Sequence, residues 1–192
     1  SYQQNNYSVN PRESDKVIGE LIRDEISKFE KPRVLDIGCC TGNLLSYLNK
    51  LYGNSIEIYG GDISESYVEI ASKKEDLNGI KIEVMDIFSL AKDNFDIVIC
   101  NAVFYCMTYP RLKAAFRSVY EALKEDGVLI TFDWAHPFRQ ELEIIEHSAD
   151  SFVDGLRLSA RSYNTWNKAF NEECFVNAKF LPFEMPFELE MD

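Results

Sequence analysis

The chain has 192 residues, 46% of them hydrophobic and 27% charged, the size and make-up of one globular domain with a core of its own. Lysine and arginine number 20 against 32 aspartates and glutamates, and the resulting charge of −12 repels duplex nucleic acid and anionic membrane surfaces on average. No apolar run reaches the ~18 residues that cross a bilayer and the polar N-terminus has no signal-peptide core, so a cytoplasmic protein is expected.

Residues 1–12 are polar, with Tyr2 and Tyr7, and after Pro11 the side chains Val17, Ile18, Leu21, Ile22 and Ile26 fall on one face of a helix that ends at Lys31-Pro32. Arg33 to Ile37 reads as a buried strand, and a helix from Asn43 to Leu51 follows. Ile56 to Gly60 is the second strand; Ser64 is placed to cap a helix to Lys73. Ile80 to Met85 is the third strand and Phe95 to Cys100 the fourth. A helix after Pro110 carries Leu112, Phe116, Val119 and Leu123, and Gly127 opens a fifth strand, Val128 to Phe132. Residues 135–158, with Pro137 and Gly155, read as an insertion near the acceptor side. A last helix spans Ser162 to Glu173 and a last strand Val176 to Phe180. Strands alternating with helices predict an α/β fold with a mostly parallel sheet covered on both faces.

The chemistry gathers at strand ends. The first strand runs into Asp36-Ile37-Gly38-Cys39-Cys40-Thr41-Gly42 and then a helix, a turn that aims backbone amides and a positive helix end at a ligand. Asp62 follows the second strand, where a carboxylate accepts from ribose hydroxyls, and Asp86 follows the third, within reach of an adenine amino group. Each acid alone also reads as a cap or a loop residue; their recurrence at successive strand ends favours a nucleotide-like ligand. The nicotinamide fingerprint asks for glycine at the positions of Gly38, Cys40 and Asn43, and only the first is present. Asp36 suits a ligand bearing an ammonium and a sulfonium better than a pyrophosphate. Five cysteines form no CxxC pair and no His/Cys set at metal spacing, so no metal and reduced thiols are expected.

On these residues the stretch from about 30 to 134 resembles the class I S-adenosylmethionine-dependent methyltransferases, in particular their bacterial small-molecule branch. The resemblance implies a Rossmann-like methyltransferase fold of six to seven strands, of which the last is not found before Asp192. It makes residues 1–192 one domain, with 1–32 lying over the cofactor site. It implies S-adenosyl-L-methionine as cofactor and S-adenosyl-L-homocysteine as product. Asp36, Gly38, Cys39, Cys40 and Gly42 then form the cofactor loop, and Asp62 and Ile63 hold ribose and adenine. Asp86 and Ile87 contact adenine, and Asn101 and Ala102 face the methionine part. Cys40 departs from the family, which most often has glycine there.

On the acceptor side, His136 in the stretch Phe132 to Pro137 is the candidate general base and Tyr105 a candidate to orient the acceptor. Both also read as ordinary loop and cleft residues. His147 reads as solvated. Phe138, Phe152, Tyr163 and Trp166 are candidate acceptor-pocket or core aromatics. No Asn-Pro-Pro-aromatic motif follows the fourth strand, and with the acidic charge this favours a small-molecule acceptor over nucleic acid, with no membrane partner. A catalytically silent cofactor-binding module and, more remotely, a nicotinamide oxidoreductase are the competing readings. The oligomeric state is not legible.

Overall fold

Along the buried strands successive side chains face opposite layers, and the sequence is written to fill both. In the computed structural model, which describes residues 11–146 and 156–183, β1 (Arg33–Ile37), β2 (Glu57–Asp62), β3 (Lys81–Val84), β4 (Phe95–Asn101) and β5 (Leu123–Phe132) form one sheet. Its order is β3-β2-β1-β4-β5 and every pair is parallel. Val34, Ile58, Ile97 and Ile99 meet α1 (Glu13–Ile26) and α2 (Asn43–Tyr52) on one face. Leu35, Ile37, Val98 and Cys100 meet α4 (Tyr109–Ala122) and α5 (Tyr163–Glu172) on the other, and α3 (Glu65–Ser72) links β2 to β3. The second layer is aromatic: Phe116 stacks on Phe170 with ring centroids 4.7 Å apart and meets Phe104 edge-on at 4.9 Å.

The expected doubly covered parallel sheet is therefore present, with five strands among the described residues. The anticipated strand Val176 to Phe180 does not form. Cys174 and Asn177 adopt left-handed backbone, with φ of 66° and 58°, which an extended strand does not accommodate, and Val176 is left 78% exposed. Among the described residues β5 is paired on its β4 side only. It also begins earlier than Gly127: Leu123 pairs with Phe95 and Val128 with Ile97, so the residues between them bulge out of register. The region read as an insertion contributes β6 (Ala135–His136) and β7 (Leu142–Glu146), which join β8 (Leu156–Ser162) in a second sheet of order β6-β8-β7. Tyr2, Tyr7, His147, Phe152 and Gly155 lie outside the described residues. No helix among the described residues is long and apolar enough to cross a membrane.

Ser64 occupies the N-cap of α3, but its hydroxyl pairs with that of Ser66 at 2.9 Å instead of capping an amide. The side-chain cap is found at α5, where Ser162 Oγ accepts from the Thr165 amide at 3.2 Å and donates to Glu141 Oε1 at 2.5 Å. Ser162→Ala is expected to lower stability by about 1 kcal/mol, read as a shift of the urea midpoint, whereas Ser64→Ala leaves that midpoint within about 0.5 kcal/mol of the parent.

Candidate functional site

Sheet order reverses between β1 and β4, and the loops leaving their carboxyl ends diverge there to open a crevice. In the β1–α2 loop, Gly38, Cys40 and Gly42 all have left-handed backbone, with φ of 81°, 51° and 76°. The amides of Gly38 and Cys39 donate to Gly61 O at 2.7 and 3.0 Å, and that of Gly42 to Cys39 O at 2.9 Å. The Cys40 amide donates to Asp62 Oδ2 at 2.8 Å, while Asp62 Oδ1 accepts from Ser64 N at 2.9 Å. Asp62 thus ties the loops after β1 and β2 together. The amides of Gly38, Cys39, Cys40 and Gly42 are thus bound inside the fold, and glycine also serves packing here. A Cβ on Gly38 would lie 2.6 Å from Val103 Cγ2, and one on Gly60 2.6 Å from Leu45 Cδ1. Cys39 is buried, and burial holds its thiol well above the ordinary range, so its side chain belongs to the core and not to a ligand surface. Cys40 is exposed, and its left-handed φ explains physically why glycine fits that position more easily.

Asp36 alternates with Leu35 and Ile37 and so lies on the α1 side of the sheet, only 2% exposed, with Oδ1 lacking any partner among the described residues. Burial, and then the nearby charge of Asp15, push its carboxyl up to about 7. Asp15 is fully buried at the start of α1. It accepts from Arg12 Nε and Nη2 at 3.1 and 3.0 Å and from Asn101 Nδ2 at 3.2 Å. Asp15 escaped the sequence reading, although it shares a helical stripe with Ile18 and Ile22, and an acid on an apolar stripe is the available signal.

A carboxyl whose folded pKa is raised stabilises the fold below its unfolded pKa and loses that contribution as pH rises through the folded value. The cofactor-free protein is therefore expected to lose thermal stability from this group between about pH 4 and 7, and Asp36→Asn to lack that part of the decline. Calorimetric melting of both proteins at several pH values checks it; parallel curves would contradict it.

Farther along the edge, Asp86 caps the short turn Ile87–Ser89, accepting from Phe88 N at 3.0 Å. Ile87 is turned into the core, so its backbone and not its side chain faces the site, whereas Ile63 stands 70% exposed, an apolar surface beside Asp62.

Past β4 and β5 lies a cavity of about 320 Å³, lined by Ala102, Tyr105, Phe132, Asp133, Trp134 and Leu158. Ala102 is strained at φ 58°. The rings of Tyr105 and Trp134 lie 5.4 Å apart. Asp133 Oδ2 accepts from Phe104 N at 2.7 Å and Oδ1 from Trp134 N at 2.9 Å, and burial nevertheless pushes its carboxyl up to about 6. Arg161, 5% exposed, donates to the carbonyls of Phe104 and Met107 and so braces the turn that carries Tyr105.

Of the two acceptor-side candidates, Tyr105 lines this cavity. His136 does not line the cavity: its Nε2 pairs with Ala160 O at 3.1 Å along the β6–β8 pairing, and its Nδ1 is buried. Trp166 is core, Tyr163 stacks on Phe180 at 4.3 Å, and Phe138 is exposed beside His136. The cavity aromatics are Tyr105, Phe132 and Trp134. Asp133, three residues before the expected base, is the group that sequence reasoning passed over.

Residues 28–174 match the family described as "Methyltransferase domain". A malonyl-[acyl-carrier protein] O-methyltransferase of Bacillus cereus is 28% identical over 123 residues, 64% of this chain and 45% of that protein. A carboxy-S-adenosyl-L-methionine synthase of Nitratiruptor sp. is 32% identical over 114 residues, 57% of this chain and 48% of that protein. The chain therefore spans about half the length of these curated relatives. A crystal structure of the CurJ carbon methyltransferase aligns with a TM-score of 0.65 at 19% identity, covering 90% of this chain and 50% of that one, a likeness of fold. With a parallel sheet in this order, acids at the ends of β1, β2 and β3, and a family match over residues 28–174, the chain belongs to the class I S-adenosylmethionine-dependent methyltransferases.

Proposed function

We propose that this chain binds S-adenosyl-L-methionine along the carboxyl ends of β1 to β4 and passes its methyl group to an oxygen or nitrogen of a small molecule held in the cavity beside β5, releasing S-adenosyl-L-homocysteine. The observation that carries this reading is the buried carboxyl oxygen of Asp36 without a partner, set on the same edge as Asp62, Asp86 and the exposed Ile63. A ligand with a cationic amino-acid end, a ribose and an aromatic base answers those groups in that order. Asp36, Asn101 and Ala102 would hold the methionine part, Asp62 the ribose, and Ile63, Asp86 and the Ile87 backbone the adenine. The loop of Gly38, Cys39, Cys40 and Gly42 gives the floor its shape.

The bound cofactor supplies an activated methyl group, so the protein's own task is to bind, orient and exclude water. Tyr105 orients the acceptor from the cavity wall. Proton removal falls to Asp133, which lines that wall, in preference to His136, which is engaged with Ala160 O. A cavity of about 320 Å³ on an acidic chain favours a small acceptor over a nucleic acid. Titration calorimetry with S-adenosyl-L-homocysteine is expected to show one site, and methyl-labelled cofactor to pass label to a component of a metabolite extract. No heat at millimolar ligand would end the proposal.

A further inference from the structure

The cavity also indicates what kind of acceptor it takes, an argument that rests on the methyl-transfer reading above. We infer that the acceptor is a small amine, held in its cationic form by Asp133 beside the rings of Tyr105, Phe132 and Trp134, and that its nitrogen receives the methyl group. Asp133 is the one charged residue among the described residues that line the cavity. Its oxygens accept the backbone amides of Phe104 and Trp134, with the Tyr105 amide also favouring the ionised form, which fixes the carboxylate and still leaves a lone pair for a ligand. Three aromatic rings in the same lining offer π faces, and a desolvated ammonium gains from both an aromatic face and a carboxylate.

Among the described residues that line the cavity, none is a cation. Arg161 is the cation nearby, and its guanidinium is directed to the Phe104 and Met107 carbonyls; it is not among the lining residues. An acceptor carboxylate would be repelled by Asp133, whose own charge already has Arg161 as its nearby cation, and a neutral hydroxyl would gain a hydrogen bond to the carboxylate but no ion pair. Burial, the leading cause of the raised Asp133 carboxyl, leaves its ionised form poorly solvated and so makes an arriving cation welcome.

The transfer balances as follows. Asp133 accepts one proton from the bound ammonium. The freed nitrogen lone pair forms the bond to the methyl carbon while the sulfur–carbon bond breaks and leaves its electron pair on sulfur. The proton then passes from Asp133 to solvent.

Two probes matched in size and opposite in charge, 2-phenylethylamine and phenylacetate, test the assignment by fluorescence titration, because Trp134 lines the cavity whereas Trp166 is buried in the core. Trp134→Phe identifies the signal. The amine is expected to bind about ten-fold or more tightly than the acid, and Asp133→Asn to reduce that preference to about two-fold or less. Asp133→Asn turns an NH₂ group toward one of the two amides the carboxylate accepts, so S-adenosyl-L-homocysteine calorimetry, expected to keep one site with binding weakened by no more than about ten-fold, shows that the variant folds, and Asp133→Glu, which keeps the charge, is expected to keep the amine preference. Equal or tighter binding of phenylacetate, a preference that survives Asp133→Asn, or no response to either probe at millimolar concentration would overturn the inference. Failure of the wild-type protein to bind S-adenosyl-L-homocysteine strikes the methyl-transfer reading instead, and removes the nitrogen-methylation half of this one while the charge preference stands on its own titration.

Discussion

Replacing Asp62 with alanine is expected to abolish measurable binding of S-adenosyl-L-homocysteine and to lower stability by about 2–4 kcal/mol. The carboxylate accepts from two backbone amides on two different loops, Cys40 N and Ser64 N, and is only 8% exposed. Removing it leaves both donors without their acceptor and cuts the link that holds the β1–α2 loop against the end of β2. Asp62→Asn preserves the shape and one acceptor oxygen but turns an NH₂ group toward one of the two donors, so an intermediate loss is expected. Urea unfolding and calorimetry read the two effects separately. An alanine variant with wild-type stability would mean that the loops are held by packing alone, and one with wild-type affinity that Asp62 is no part of the ligand site.

Gly38→Ala is expected to cost about 2–5 kcal/mol, the sum of left-handed strain at a φ of 81° and a clash of the new Cβ with Val103 Cγ2 at 2.6 Å. The two causes can be parted. Val103→Ala in the same chain removes the overlap and leaves the strain, so the double variant is expected to recover part of the loss and not all of it. Since Val103 sits just after β4, the clash pushes apart the two loops that flank the crevice, and ligand affinity should fall with stability. Additive effects of the two substitutions would show that the contact is not the cause.

Alternation of apolar runs and amphipathic stretches was enough to place the five strands of the main sheet and the five α-helices among the described residues, because burial of β1, β2 and β4 on both faces leaves a strong local signal, while β3 at the edge is largely exposed. The acids at strand ends were legible for the same reason: Asp36, Asp62 and Asp86 each follow or close an apolar run. What escaped was set by tertiary contact. Whether Val176 to Phe180 pairs with β5 depends on left-handed turns at Cys174, which carries no turn signal of its own, and at Asn177, whose turn preference is easily outweighed in a run of apolar neighbours. His136 drew attention as a titratable group in the correct loop, yet strand pairing between β6 and β8 directs it to Ala160 O, while its neighbour Asp133 is drawn to the cavity by amides from Phe104 and Trp134. Asp15 gained its meaning only when α1 was laid across the sheet beside Asn101.

The division of the crevice has an evolutionary consequence. Groups assigned to the cofactor hang from β1, β2 and β3, with β4 as the shared wall, whereas the cavity draws its side chains from beyond β4, from β5 and its following loop, and from β8. A substitution at Trp134 or Leu158 leaves untouched the amides that Asp62 gathers. Such a chain can drift toward a new acceptor one residue at a time without surrendering its methyl donor, and relatives of like fold are free to inherit the donor half while diverging in what they modify.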